Sequence, residues 1–346
     1  MLYMSCLRIL RGPRKFYRFL CVILVSIPIS FVLFALFCST ILKNVIISHL
    51  CQSYNLNETS GAFCEEFCSE ATPFTNFNCI GGTLQFFSAE RNGNVYEFHF
   101  ATENYDGLAW QDTDGNNVYP KSSDLQHMIK MHLLLNYNVT LEDNVLKRLI
   151  NHEIDENQPS QIQQFWWLFN NNDYLMTKLF EDEALFPTIL GNCGSMYATE
   201  QLEIPSKSNR PHKHFNFKTL YEYILRLDMM KPDPVKICRI KLENFGLTAD
   251  ARLKAVNADY MKLESQLHKR LVNGAACWYD SDCDWHDCRG SCQQRICREA
   301  PRHDNIQLLC DYVQIFRERF EDLLVQPGMQ QFYEEKCKRK YTPYHL

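Results

Sequence analysis

Five polar residues in the run ICRIKLENFGLTADARLKAVNADY (Ile237–Tyr260) have types and spacing suited to chemistry on phosphate. Lys241, Glu243 and Asn244 share one short stretch, and Asn257 follows Asn244 by thirteen residues, with Asp259 just beyond. Phosphoryl transfer asks a protein for positioning and electrostatics: a base near the accepting hydroxyl, oxygen ligands for a divalent metal, and cations on the phosphates. A lysine, an amide and an acidic end are present here. A second amide, Asn257, offers a metal one neutral oxygen, a weaker ligand than a carboxylate.

Placing these side chains requires a helix, a polar loop, a hairpin and a strand. An apolar helical segment, Leu220 to Met230, leads into the loop, a turn follows at Thr248–Ala251, and Leu253, Ala255 and Val256 read as the returning strand. Protein kinases use this order for the catalytic loop H-R-D-x-x-x-x-N and the metal-binding D-F-G. Aligning Lys241, Glu243 and Asn244 with K-x-E-N puts Arg239 at the catalytic base and Asn257 at the D of D-F-G. A guanidinium has no acceptor lone pair and stays charged at any usable pH, so Arg239 cannot take a proton from a hydroxyl. A surface hairpin after a helix could carry the same four letters, and the surrounding chain is what decides. CRIKLENFGL, the later CWYDSDCDWHDCRGSC and the earlier ILGNCGSMYATE together resemble the divergent protein kinase domain 1 family, cysteine-rich, single-pass, kinase-like proteins of the endoplasmic reticulum lumen, from about Cys51 to the C-terminus.

The resemblance implies an α+β, bilobal protein kinase-like fold, disulfide-rich, behind one N-terminal transmembrane helix. It puts His99, or Phe98 after a one-residue slip, where the ATP-pairing lysine of V-A-I-K belongs. Asp173 is the nearest match to the helix acid that pairs with that lysine. An ordinary polar residue on a strand is the other reading of His99. An active member would use ATP with Mg²⁺ or Mn²⁺, with Asn244, Asn257 and Asp259 as candidate ligands.

Among 346 residues there are 16 cysteines, in an otherwise ordinary mixture that is 46% hydrophobic and 13% aromatic, which points to an oxidising compartment. A net charge of −5 speaks against a nucleic-acid surface. Phe19 to Leu42 is a run of 24 residues without charge, preceded by Arg8, Arg11, Arg14, Lys15 and Arg18. As a helix it would reach about 36 Å, enough to span a bilayer, and the positive flank leaves the N-terminus cytosolic. The expected organisation is a cytosolic basic tail (1–18), a signal anchor (19–42), a lumenal cysteine-rich stem (43–80), a kinase-like N-lobe (81–200) and a C-lobe (201–346) with a cysteine cluster at 277–297. The expected location is the endoplasmic reticulum membrane, or the Golgi, with type II topology. The sequons at Asn57 and Asn138 agree with a lumenal body.

Thirteen cysteines follow the anchor: Cys51, Cys64, Cys68, Cys79, Cys193, Cys238, Cys277, Cys283, Cys288, Cys292, Cys297, Cys310 and Cys337. Disulfides are expected over zinc, and the odd number predicts at least one free or intermolecular thiol. The cluster spacings predict little regular structure, with Cys310 and Cys337 as partners for it. Four acids nearby, Asp280, Asp282, Asp284 and Asp287, read as solvated loop carboxylates, with cation binding the alternative. In an N-lobe insertion expected at about 106–124, Asp112, Asp114 and Asn116 fall at positions 1, 3 and 5 of an EF-hand loop. Position 12 is Ser123 where a bidentate Glu is needed, so a solvated turn is expected over a Ca²⁺ site.

Helices are expected at Leu125–Tyr137, Leu141–Ile154, Gln161–Phe169, Asp173–Phe186 and Asn305–Leu324. The functional expectation is a lumenal pseudokinase that binds or scaffolds unidentified secretory-pathway proteins. The alternatives are an atypical protein or glycan kinase, and a disulfide-rich receptor or adhesion protein with no kinase fold.

Overall fold

The computed structural model describes residues 40–337, except 71–72, 81–85, 102–107, 109, 112, 116, 138, 141, 144–145, 147–158, 206–213, 232 and 300–303. The expected anchor and the helix expected at 141–154 therefore lie almost wholly outside the described residues. Among the described residues no helix is long and apolar enough to cross a membrane.

The chain enters as a helix whose π-helical turn, Leu42–Ile47, runs into α1 (Ser48–Asn55), and Leu42 itself is buried. After α2 (Cys64–Phe67) come β1 (Thr75–Cys79), β2 (Phe86–Arg91) and β3 (Asn94–Phe100). The β2–β3 turn is Asn92-Gly93, both with positive φ (52° and 78°), the geometry that suits the right-handed twist of a hairpin. A small hairpin, β4 (Trp110–Gln111) and β5 (Asn117–Val118), precedes three helices: α3 (Ser122–His132), α4 (Pro159–Asn170) and α5 (Asn172–Leu179). The antiparallel β6 (Ile189–Cys193) and β7 (Met196–Glu200) complete one five-stranded sheet, ordered β1-β2-β3-β7-β6.

Period-two alternation divides β3 between two environments. Phe98, with Tyr96 and Phe100 against it, faces an aromatic cluster with Phe63, Phe67, Phe74 and Phe87. The rings of Phe87 and Phe98 stack at 4.8 Å. Residues expected as a stem thus cover the outer face of this sheet and supply its edge strand. Cys51–Cys68 closes the α1–α2 turn, and Cys64–Cys193 ties α2 to β6 across 129 residues. Gly61 permits this approach: a Cβ there would stand 2.2 Å from the Asn192 carbonyl oxygen.

The second half opens with α6 (Phe217–Asp228), capped by Asn216, whose side chain accepts from the Thr219 N–H. Its apolar stripe, Phe217, Leu220, Tyr223, Ile224 and Leu227, is buried. Three short strands carry the polar loops: β8 (Val235–Ile237), then the hairpin β9 (Phe245–Leu247) and β10 (Leu253–Ala255), while β11 (Met261–Leu263) returns to pair with β8. Next come α7 (Glu264–Leu271), the hairpin β12 (Ser291–Gln293) and β13 (Ile296–Glu299), then α8 (Asn305–Ile315), α9 (Arg317–Leu324) and α10 (Met329–Cys337). One core cluster joins α3, α4 and α5 to α6, α8 and α9, so packing is continuous across the boundary expected near residue 200.

Several expectations change. The helix expected to reach Phe186 ends at Leu179, and after one 3₁₀ turn Ala184 turns left-handed (φ 50°). The helix expected over Asn305–Leu324 breaks at Phe316 (φ −112°, ψ 41°). The cysteine cluster holds a hairpin, pinned by Cys277–Cys292 and Cys283–Cys297, while Cys310 and Cys337 pair with each other. Cys79 is disulfide-bonded as well, so the odd count leaves no free thiol among the thirteen. Cys277, Cys283 and Cys297 lie close enough to share a metal, but all three sulfurs are already in disulfides.

Removing a long-range disulfide from a domain of this kind costs ~2–5 kcal/mol. Cys64→Ser with Cys193→Ser should lower the stability of the full chain by that order in urea unfolding, whereas Cys277→Ser with Cys292→Ser, closing a 15-residue separation, should cost less.

Candidate functional site

The loop after β8 is fixed from beneath by buried polar groups. Asn305 donates to the Val235 carbonyl (2.7 Å) and accepts from the Ile237 N–H (2.9 Å), while Lys236 pairs with Asp228 at 2.8 Å. Cys238–Cys288 then joins this loop to the cysteine cluster. The disulfide brings Asp287 to Arg239: the Asp287 N–H donates to the Cys238 carbonyl at 2.8 Å, and Arg239 Nε donates to Asp287 Oδ2 at 3.3 Å. The Tyr312 hydroxyl donates to the same carboxylate oxygen. Arg239 also lies over the Tyr260 ring at 5.6 Å, and Lys241 Nζ reaches both that ring (4.8 Å) and its hydroxyl (2.9 Å).

Arg239, the residue expected at the base position, is thus fixed by a neighbouring acid and an aromatic ring. The Arg239 and Asp287 side chains are 37% and 31% exposed, which makes the pair worth at most ~1 kcal/mol. Its consequence is geometric: the guanidinium is held in place, and the nearest carboxylate already accepts two hydrogen bonds.

The β9–β10 hairpin carries the chain from Asn244 to Asn257. The Asn244 carbonyl accepts from the Val256 N–H at 2.7 Å, so Asn244 and Asn257 sit at one end of the hairpin, as the register predicts. The next peptide is gripped from the other half of the molecule. Asp173 Oδ1 accepts from the Ala258 N–H (2.7 Å), and the Asn172 side chain donates to the Ala258 carbonyl (3.2 Å). Both grips come from the first turn of α5, which Asn171 caps. Burial first, and then the Asp259 charge, push Asp173 up to about 6, against the pull of the Ala258 hydrogen bond and Lys262.

His99 lies between two rings, Phe86 at 4.4 Å and Tyr197 at 4.8 Å, with Nε2 3.4 Å from the Thr199 hydroxyl. Burial pushes it down to about 4, so it is neutral at pH 7. Phe98 belongs to the outer aromatic cluster. Tyr197 lies between His99 and the acids: burial, then Asp173 and Asp259, raise its hydroxyl well above the ordinary range. No ion pair between His99 and Asp173 is formed.

Sequence reasoning did not find Tyr260, Tyr197 or the role of Asp287. Pairing Cys238 with Cys288 was the missing signal, since it places Asp287 beside Arg239. The other cluster acids cap the knot: Asp280 accepts from Cys292 N–H, Asp282 from Trp278 and Tyr279 N–H, and Asp284 from Gly290 N–H. Asp114 is exposed in the β4–β5 turn, and Asp112 and Asn116 lie outside the described residues, as does Asn138. Asn57 is exposed with φ 59°, while Thr59 of its sequon is buried and its hydroxyl accepts from Gln164 at 2.9 Å.

A family model described as "Protein-kinase domain of FAM69" matches residues 165–338, half of the chain, and a second, "N-term cysteine-rich ER, FAM69", matches residues 9–152. The chain belongs to the FAM69 family. The fold is therefore kinase-like, mixed in helix and sheet and crossed by disulfides, and the family description associates it with the endoplasmic reticulum. Among solved structures, the choline kinase LicA from Streptococcus pneumoniae is similar over 79% of this chain and 78% of its own, at 10% identity and a TM-score of 0.27, too loose a superposition to align residues.

A kinase-like fold implies a magnesium–nucleotide complex, and the donor set is a poor fit to one. Asn257 Oδ1 is buried without a hydrogen-bond partner, the one feature in favour of a cation. Beside it stand an exposed carboxylate, Asp259, and Asp173, which favours its proton to about pH 6 and is engaged by Ala258. Hard divalent cations bind through carboxylates, and a single amide oxygen is a weak substitute. Just after β7, Leu202 packs directly on Gly246, where a Cβ would come within 2.6 Å of it, and Glu203 and Leu247 exchange both backbone hydrogen bonds.

A buried carboxyl with a raised pKa favours the folded state while protonated, and that advantage disappears as pH rises from the unfolded value of 3.8 through the folded value near 6. Asp173→Asn removes the titration and keeps an oxygen for Ala258. The variant should gain on the wild type by ~2 kcal/mol between pH 4 and pH 7.5, read from paired urea unfolding curves.

Proposed function

We propose that this chain is a lumenal, membrane-anchored pseudokinase: a kinase-shaped binding and scaffolding module of the secretory pathway. The observation that carries the reading is Arg239, a permanent cation held at the base position by Asp287 and Tyr260. Neutral His99 at the lysine position and Asn257 at the metal position support it independently. A general base alone contributes about 10²–10⁴ in rate, and the metal and phosphate grips are altered along with it. The uncharged run at 19–42 supports anchoring, and the disulfides support an oxidising lumen.

The test is nucleotide binding by the full chain in detergent, followed by thermal unfolding with ATP and Mg²⁺, Mn²⁺ or Ca²⁺. No metal-dependent shift is expected, and no transfer of radiolabelled phosphate to casein. Arg239→Asp combined with Asn257→Asp should introduce a nucleotide-dependent shift. A saturable shift in the wild-type chain, lost in Asp259→Ala, would overturn the reading in favour of an atypical kinase.

A further inference from the structure

The segment from β11 to the end of α7 carries a second pattern, unrelated to the loop at Arg239. Gln266, Lys269 and Arg270 share one side of α7, with Lys262 just before the helix on β11 and Asn273 just after its end. Leu267 and Leu271 form the opposite stripe and are buried against Cys238 and Cys288. Burial of the apolar stripe thus turns the polar one towards the turn at Leu133–Tyr137. Lys269 Nζ donates to the Leu135 carbonyl there at 2.6 Å.

Between the two lies a hollow of about 350 Å³, lined by Leu135, Asn136, Lys262, Gln266, Lys269, Arg270 and Asn273. Three of those described lining residues are cations and none is an acid. Lys262 is the innermost: its Nζ lies 5.4 Å over the Trp285 ring, and burial followed by the Arg270 charge pushes its ammonium below the ordinary range, against the pull of Asp173. Lys262 is partly desolvated while Lys269 and Arg270 are exposed, and like charges gathered around one hollow repel one another less when an anion joins them. Asn136, Gln266 and Asn273 add neutral amide donors, a mixture that suits oxygens carrying spread charge. On the rim, Leu134 and Leu135 are 41% and 60% exposed.

We propose that this hollow is a binding site for a phosphate-bearing group, held by Lys262, Lys269 and Arg270 against the polar face of α7. The group comes either as a soluble phosphate ester or as the headgroup of a lipid, whose chains the exposed leucines would meet. The site is separate from the Arg239 cluster and does not depend on whether that cluster transfers phosphate.

Inorganic pyrophosphate without metal is the probe for the soluble source, titrated calorimetrically into the full chain at physiological ionic strength. The lipid source is probed with the full chain in phosphatidylcholine nanodiscs, with and without phosphatidylinositol phosphate, read by thermal unfolding. Lys269 and Arg270 are exposed, so Lys269→Gln with Arg270→Gln leaves the core intact. Saturable pyrophosphate binding weakened at least tenfold in that double variant, and retained in Arg239→Gln, supports the site with a soluble ligand. Stabilisation by the phosphoinositide alone, lost in the same variant, supports it with a headgroup. Absence of both effects, or binding indifferent to Lys269→Gln with Arg270→Gln, overturns it.

Discussion

One residue's backbone holds the two halves of this molecule in register. The N–H and the carbonyl of Ala258 are both met by side chains from the first turn of α5, Asp173 and Asn172, and the carbonyl also accepts from the Met261 N–H. A buried backbone group without a partner costs about as much as a lost hydrogen bond, so the Ala258 N–H stays where Asp173 holds it. A second tie lies nearby: the Leu185 carbonyl accepts from both the Tyr223 hydroxyl and the Ala255 N–H, each at 3.0 Å. Hairpin, helix and sheet thus meet at a few polar contacts inside a largely apolar core, and the candidate site inherits its geometry from them.

The same contacts hold the residues that the register aligns with a kinase site. In an active phosphotransferase the helix acid would pair with a strand lysine and draw the lobes onto a nucleotide. Here Asp173, the residue expected to match that acid, spends its acceptor on backbone, and His99, expected at the strand position, is a neutral imidazole between two rings. Packing has taken over work that charge does elsewhere. Lys254 illustrates the point at the end of β7: it is 2% exposed and bonds to Glu200 and Thr188, tying β10 to β7 through a buried cation.

Much of the fold was legible in the chain because its signals are local. Asn92-Gly93 announced the β2–β3 turn, alternation at Tyr96, Phe98 and Phe100 gave one face of β3, and the thirteen-residue spacing from Asn244 to Asn257 fixed the hairpin. What failed was long-range. Nothing local says that Cys64 pairs with Cys193 rather than with a neighbour, or that residues 51–80 cover a sheet built mostly from later strands. Asp287 looked like a solvated loop acid because its partner, Arg239, lies 48 residues away in sequence. The break at Phe316 has no sequence signal that we can identify, and nothing in its contacts accounts for it.

The 129-residue span between Cys64 and Cys193 has a bearing on how the chain is made. At ribosomal rates of about 5–20 residues per second, Cys64 emerges on the order of ten seconds before its partner. Cys51 and Cys68 are within reach of each other throughout that interval and can close their native bridge at once, which leaves Cys64 without its partner until β6 arrives. A bond that Cys64 forms with either of them in the meantime has to be undone by thiol exchange before the α2–β6 tie can close.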